Sequence, residues 1–108
     1  AYAASKAALN MLTRTLAAEF AGDGVRCNCV VPGMIDTPMV GHSLQLAGLD
    51  AAQAAAVQAA RHRRSPTGRQ GSPWDVAQAA LFLAGPEAGY VNGAELVVDG
   101  GYGNLAAG

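Results

Sequence analysis

The run VRCNCVVPG, Val25 to Gly33, decides how the rest of the chain is read. Val25 to Val31 is short and rich in branched and buried-type residues, and Pro32-Gly33 stops it, so it reads as a strand entering a turn. It lacks the apolar/polar alternation of a sheet with one wet face. That pattern predicts an inner parallel strand covered on both faces, which needs more strands than this chain supplies. Cys27 and Cys29 point to one face of such a strand and lack the geometry for a mutual disulfide, so reduced, packed thiols are expected.

Upstream, Leu9, Leu12, Leu16 and Phe20 recur at three and four, predicting a helix over residues 5–20 with one buried stripe. Ala4, Ala8, Met11 and Thr15 form a second stripe whose small residues allow another helix to approach closely. Gly22 and Gly24 are expected to end the helix. Downstream of the strand, Thr37 before Pro38 reads as an N-cap and first helical residue. Asp50 and Gln53 have capping-box spacing and open an alanine-rich helix to about Arg64. It buries little apolar area, so it is expected to be held loosely and to move as a lid. Ser72-Pro73-Trp74-Asp75 is a stronger helix start. Val76, Ala80 and Leu83 are expected to face inward, and Gly85-Pro86 to end the helix. Glu95 to Val98 then reads as a final strand closed by Asp99-Gly100-Gly101. Helix, strand, helix, helix, strand is the order of an open α/β layer fold.

Composition limits the partners. Seven Lys plus Arg against eight Asp plus Glu give a net charge of -1, with no global positive field to gather nucleic acid. Arg61, Arg63, Arg64 and Arg69 are grouped, which fits a helix C-terminus followed by a solvated loop. His42 and His62 are isolated and no zinc-ligand spacing occurs, so no metal site is expected. No apolar run reaches transmembrane length and no secretory signal pattern is present, so cytoplasm is the expected location. A motif already under way at Ala1 suggests an upstream segment.

The chemistry begins with Tyr2 and Lys6, four apart and therefore on one helix face. A free phenol titrates near about 10, and a neighbouring ammonium favours the phenolate, which suits proton exchange at neutral pH. The pair alone is weakly specific. Its context is not: YAASKAAL at 2–9, VRCNCVVPGMIDTPM at 25–39, GRQGSPWDVA at 68–77 and YVNGAELVVDGG at 90–101. With these four stretches in order, the sequence resembles the short-chain dehydrogenase/reductase family over almost all its length.

The resemblance implies the C-terminal portion of a Rossmann-like, doubly wound, mostly parallel sheet. Residues 1–108 would form part of a single NAD(P)-binding domain, with a variable substrate-lid segment at about 39–66. It implies an NAD(P)-dependent oxidoreductase that interconverts an alcohol and a ketone, 3-oxoacyl reductase-like or another secondary alcohol dehydrogenase. Tyr2 would exchange the substrate hydroxyl proton, and Lys6 would tune Tyr2 and hold the nicotinamide ribose. Pro32 and Gly33 would pack beside the nicotinamide, the Ile35 backbone would grip its carboxamide, and Thr37 would bond near carboxamide or pyrophosphate. A homodimer or homotetramer through the first helix and terminal strand is implied as well.

Some residues read as structural. Asn28 is expected to bond the nearby backbone, Asp36 to stabilise the following helical turn, Met34 and Met39 to fill gaps or line the pocket, and Trp74 to pack. Asn92 stands where the family commonly has Thr. The glycine-rich phosphate loop, the NAD/NADP selector and the upstream asparagine and serine of the family are missing, so the 108 residues alone are expected to be inactive. The alternative is a nonenzymatic fragment or binding module retaining part of the fold.

Overall fold

The computed structural model describes residues 1–104. In chain order the elements are α1 (Tyr2–Glu19), β1 (Cys29–Pro32), α2 (Pro38–Leu46), α3 (Ala51–Arg64), α4 (Pro73–Ala84) and β2 (Glu95–Val98). Short 3-10 turns lie at Ala21–Asp23, Pro86–Ala88 and Tyr102–Asn104. The chain divides into two compact units, Ala1–Val31 with Ala77–Val97, and Pro32–Val76 with the residues from Val98 on.

In the first unit, α1 starts earlier than its apolar period predicts, so Tyr2 and Lys6 both lie on the helix itself. It ends at Glu19, and Gly24, with φ +76°, turns the chain toward the strand. The strand forms later than predicted, at Cys29. In the preceding residues side chains take over part of the ladder, although the Cys27 carbonyl still accepts from the Gly93 amide (2.8 Å). The Cys27 amide donates to Asn92 Oδ1 (2.9 Å), and Asn28 spans Val91 O and the Ala94 amide (2.9 Å each). Asn28 is thus the backbone brace its sequence position suggests, and Asn92 bonds locally in place of threonine. From there β1 and β2 run parallel, as the bonds from Cys29 N to Ala94 O (2.8 Å) and Gly33 N to Val98 O (3.0 Å) advance together.

Within these residues the predicted inward stripes are only partly covered. On α1, Thr13 and Ala17 are buried, whereas Leu9, Leu12 (51% exposed) and Phe20 are exposed. Asn92 explains the choice, because its Nδ2 donates to Ala17 O (2.9 Å) and draws the loop before β2 onto that face. Thr13 Oγ1 meets Cys29 Sγ at 3.0 Å, and both cysteines are free thiols. On α4, Leu83 is buried but Ala80 is exposed. Trp74, read as a packing residue, is 75% exposed.

Arg26 closes the C-terminal end of α4. Its guanidinium donates to the carbonyls of Leu83 (2.8 Å), Gly85 (3.2 Å) and Val91 (3.3 Å), fixing a strand approach to residues far along the chain. Charge-assisted bonds of this kind, made by a planar fork, are not reproduced by a single ammonium or a thioether. Arg26→Met is expected to destabilise the full gene product by about 2 kcal/mol or more, read from urea unfolding. A loss under about 0.5 kcal/mol would show that the three bonds contribute little.

In the second unit, local chemistry fixes the helix starts. Asp50 and Gln53 form the reciprocal capping box, with bonds of 2.8 and 2.9 Å. Ser72 and Asp75 do the same for α4: Asp75 Oδ2 accepts from the Ser72 amide (2.7 Å) and hydroxyl (2.9 Å), and Ser72 Oγ accepts from the Asp75 amide (3.2 Å). Arg69 pairs with the same carboxylate at 3.0 Å. The Arg69 guanidinium, followed by the Ser72 donors, holds the Asp75 carboxyl well below the usual carboxylate range. A depressed folded-state pKa stabilises the fold above the unfolded value, near about 4, and that contribution is lost as pH falls toward the folded value. Asp75→Asn should therefore lower stability at pH 7, with a deficit that shrinks steadily below about pH 4 in thermal unfolding measured against pH. A deficit independent of pH would contradict the pairing.

Candidate active site

Tyr2 is the first residue of α1 and is 76% exposed. One turn on, the Lys6 ammonium lies 5.5 Å from the centre of the Tyr2 ring, within cation–π range. Ser5 Oγ donates to Tyr2 O (2.7 Å) and ties down the first turn, whose N-cap Ala1 offers no side-chain bond. The result is an exposed phenol with a cation beside it on one helix face, an arrangement able to pass a proton to a bound oxygen.

The other predicted residues, Pro32, Gly33, Ile35 and Thr37, lie in the second unit. Pro32 is exposed at the end of β1. Gly33 has a reason within the fold, because a Cβ there would lie 2.5 Å from Asp99 Cβ and 2.7 Å from Asp99 Cα. Its small size thus serves the approach of two chain segments.

Ile35 forms an isolated parallel bridge with Gly71, made by Gly71 N to Met34 O (2.9 Å) and Asp36 N to Gly71 O (2.8 Å). In such a bridge the N–H and C=O of Ile35 itself point to the opposite edge. Neither has a partner among the described residues. An adjacent donor and acceptor complement a primary carboxamide, so these residues fit a nicotinamide. Thr37 has extended N-cap geometry (φ −133°, ψ 156°) but makes no side-chain cap bond, and its hydroxyl has no partner among the described residues. The Thr37 hydroxyl and the Met39 amide are therefore open to a polar ligand at the start of α2.

Other polar groups are committed. Asp36 Oδ1 receives a long bond from Gln58 Nε2 (3.4 Å). Arg64 Nη2 donates to the Tyr102 hydroxyl (2.6 Å), and Arg61 Nε to Gln70 Oε1 (2.6 Å). Asp99 accepts from the amides of Gly101 (2.8 Å) and Gly103 (2.7 Å), shaping the turn after β2. Sequence reading missed Gln70, which is 4% exposed, and Arg26. Their partners are distant in sequence or set by the tertiary path, and neither residue type announces burial. Among the described residues no group of three metal-binding side chains assembles and no helix is long and apolar enough to cross a membrane.

A family model described as enoyl-(acyl carrier protein) reductase matches residues 1–103. Galactitol 2-dehydrogenase (L-tagatose-forming) of Cereibacter sphaeroides is 46% identical over 101 residues, spanning 94% of this chain and 37% of that protein. The ligand-free aldohexose dehydrogenase of Thermoplasma acidophilum superposes with a TM-score of 0.90 at 37% identity, covering 98% of this chain and 42% of that one. A protein of Agrobacterium tumefaciens solved with bound NADP superposes with a TM-score of 0.76 at 39% identity, covering 96% and 39%. The chain thus spans about two fifths or less of the length of the curated relatives it matches.

Proposed function

Because the chain belongs to the short-chain dehydrogenase/reductase family, we propose that it carries the proton-transfer and nicotinamide-holding residues of an alcohol/ketone oxidoreductase. Residues 1–108 form the C-terminal part of one Rossmann-like dinucleotide-binding domain in this reading, with 39–66 as the lid over the substrate. The observation that carries the reading is the exposed Tyr2 phenol with the Lys6 ammonium 5.5 Å from its ring.

When bound, the nicotinamide accepts or supplies the hydride. The protein's own residues orient and balance charge. In oxidation the Tyr2 phenolate takes the proton from a substrate hydroxyl, and in reduction the Tyr2 hydroxyl gives one to the carbonyl oxygen. Lys6 holds positive charge beside that phenol and donates to the ribose hydroxyls. Ile35 holds the carboxamide through its unpaired N–H and C=O, and Thr37 adds a hydroxyl near carboxamide or pyrophosphate. Pro32 forms the wall beside the ring.

The substrate is a secondary alcohol or its ketone, 3-oxoacyl thioesters included, and the coenzyme is NAD or NADP. The first helix, α1, and the terminal strand region of β2 are proposed as faces of a homodimer or homotetramer. Cytoplasm is the proposed location. Calorimetric titration of the full gene product with NADH and NADPH tests the reading. Micromolar affinity for one of them is expected, and no heat of binding from either at millimolar concentration would sink it.

A further inference from the structure

Two of the buried side chains in the second unit are polar, Ser65 and Gln70. Gln70 is 4% exposed and lies between Arg69 and Gly71 in the segment that leads into α4. Its Oε1 accepts from Arg61 Nε (2.6 Å), its Nε2 donates to Gln58 Oε1 (2.6 Å), and its amide donates to His62 Nδ1 (3.2 Å). All three partners are on α3. The next residue, Gly71, makes both main-chain bonds of the bridge to Met34 and Asp36 that exposes the free N–H and C=O of Ile35. Gln58 closes the loop through its bond to Asp36.

Alanine-rich α3 has no buried residue of its own, so apolar packing does little to set its position. Hydrogen bonds to a buried side chain are directional and intolerant of partial loss, because each broken bond leaves a desolvated group unpaired. A helix held in this way shifts as a body when the strand beneath its anchor shifts.

We infer that Gln70 is a positioning residue that couples α3 to the Ile35–Thr37 segment, so that dinucleotide binding at that segment sets the position of the helix over the substrate. The inference rests on the proposed function for Ile35, Thr37 and α3. Gln70 touches neither coenzyme nor substrate. It transmits order from one to the other through two sets of short bonds, Gln70 to α3 and Gly71 to residues 34 and 36, beside the long direct bond from Gln58 to Asp36.

Hydrogen exchange on the full gene product, free and saturated with the dinucleotide that binds it, reads the coupling directly. In the parent, dinucleotide should slow amide exchange both in 34–40 and in 51–64, the latter by about fivefold or more. In Gln70→Leu, which keeps the volume and deletes both side-chain bonds, protection should persist in 34–40 and fall below about twofold in 51–64. Gln70→Glu, which still accepts from Arg61, should fall between them. The same Leu variant should raise substrate KM by about fivefold or more while changing kcat less than twofold. If Gln70→Leu does not fold, Gln58→Met removes the α3 end of two bonds, those to Gln70 and to Asp36, and carries the same exchange expectation. Equal protection of 51–64 in parent and variant, or none in a parent whose 34–40 segment responds, would overturn the coupling and leave the proposed function standing. Failure of the parent to bind dinucleotide, with no response in either segment, would overturn both.

Discussion

Tyr2→Phe should lower turnover of the full gene product by roughly two to four orders of magnitude, with dinucleotide affinity changed little. The substitution keeps the ring, its place at the start of α1 and the stacking of the Lys6 ammonium 5.5 Å from the ring centre. It removes only the hydroxyl. Among the described residues no other side chain on the Lys6-bearing helix face is built to exchange a proton with a substrate oxygen, since Ser5 is committed to Tyr2 O and Thr13 to Leu9 O. The measurement is steady-state turnover at saturating dinucleotide across pH. Activity within about threefold of the parent would remove Tyr2 from the mechanism.

Lys6→Met should damage two steps that Tyr2→Phe separates. The ammonium stands beside the phenol and is also the proposed donor to the ribose hydroxyls, and methionine keeps a similar stem without the charge. Turnover is expected to fall by roughly one to three orders of magnitude. Dinucleotide affinity is expected to fall about tenfold, as suits the loss of charge-assisted bonds. Calorimetry on the variant separates the roles. Unchanged affinity with reduced turnover would reject the ribose contact and retain the effect on Tyr2.

How far these residues were legible from sequence depended on the range of the interactions. The capping boxes at Asp50/Gln53 and Ser72/Asp75 are made of residues three apart, and spacing alone identified both. The Tyr2/Lys6 pair was equally local, and its meaning came from the family resemblance. The side of α1 that is covered within these residues was not legible. A helical period shows that Leu9, Leu12 and Phe20 share a stripe with Leu16, but the face that is covered depends on where the Asn92 loop lands, and it lands on Thr13 and Ala17. Arg26 and Gln70 escaped notice for a related reason. An arginine that ends on three carbonyls from Leu83 to Val91 reads in sequence as an ordinary strand charge, and a buried glutamine in GRQG reads as loop. The close approach of Gly33 to Asp99 was not legible, because the two are 66 positions apart in the sequence.

The central claim is that these residues serve hydride transfer between an alcohol carbon and a nicotinamide. The direct test supplies the full gene product with NAD or NADP and secondary alcohols deuterated at the carbinol carbon, then locates the label by NMR. The account predicts ketone formation with deuterium recovered at C4 of the reduced nicotinamide, abolished in Tyr2→Phe to the extent stated above. Oxidation that released the label to water, or a protein that bound dinucleotide and turned over no alcohol or ketone of the panel, would contradict it.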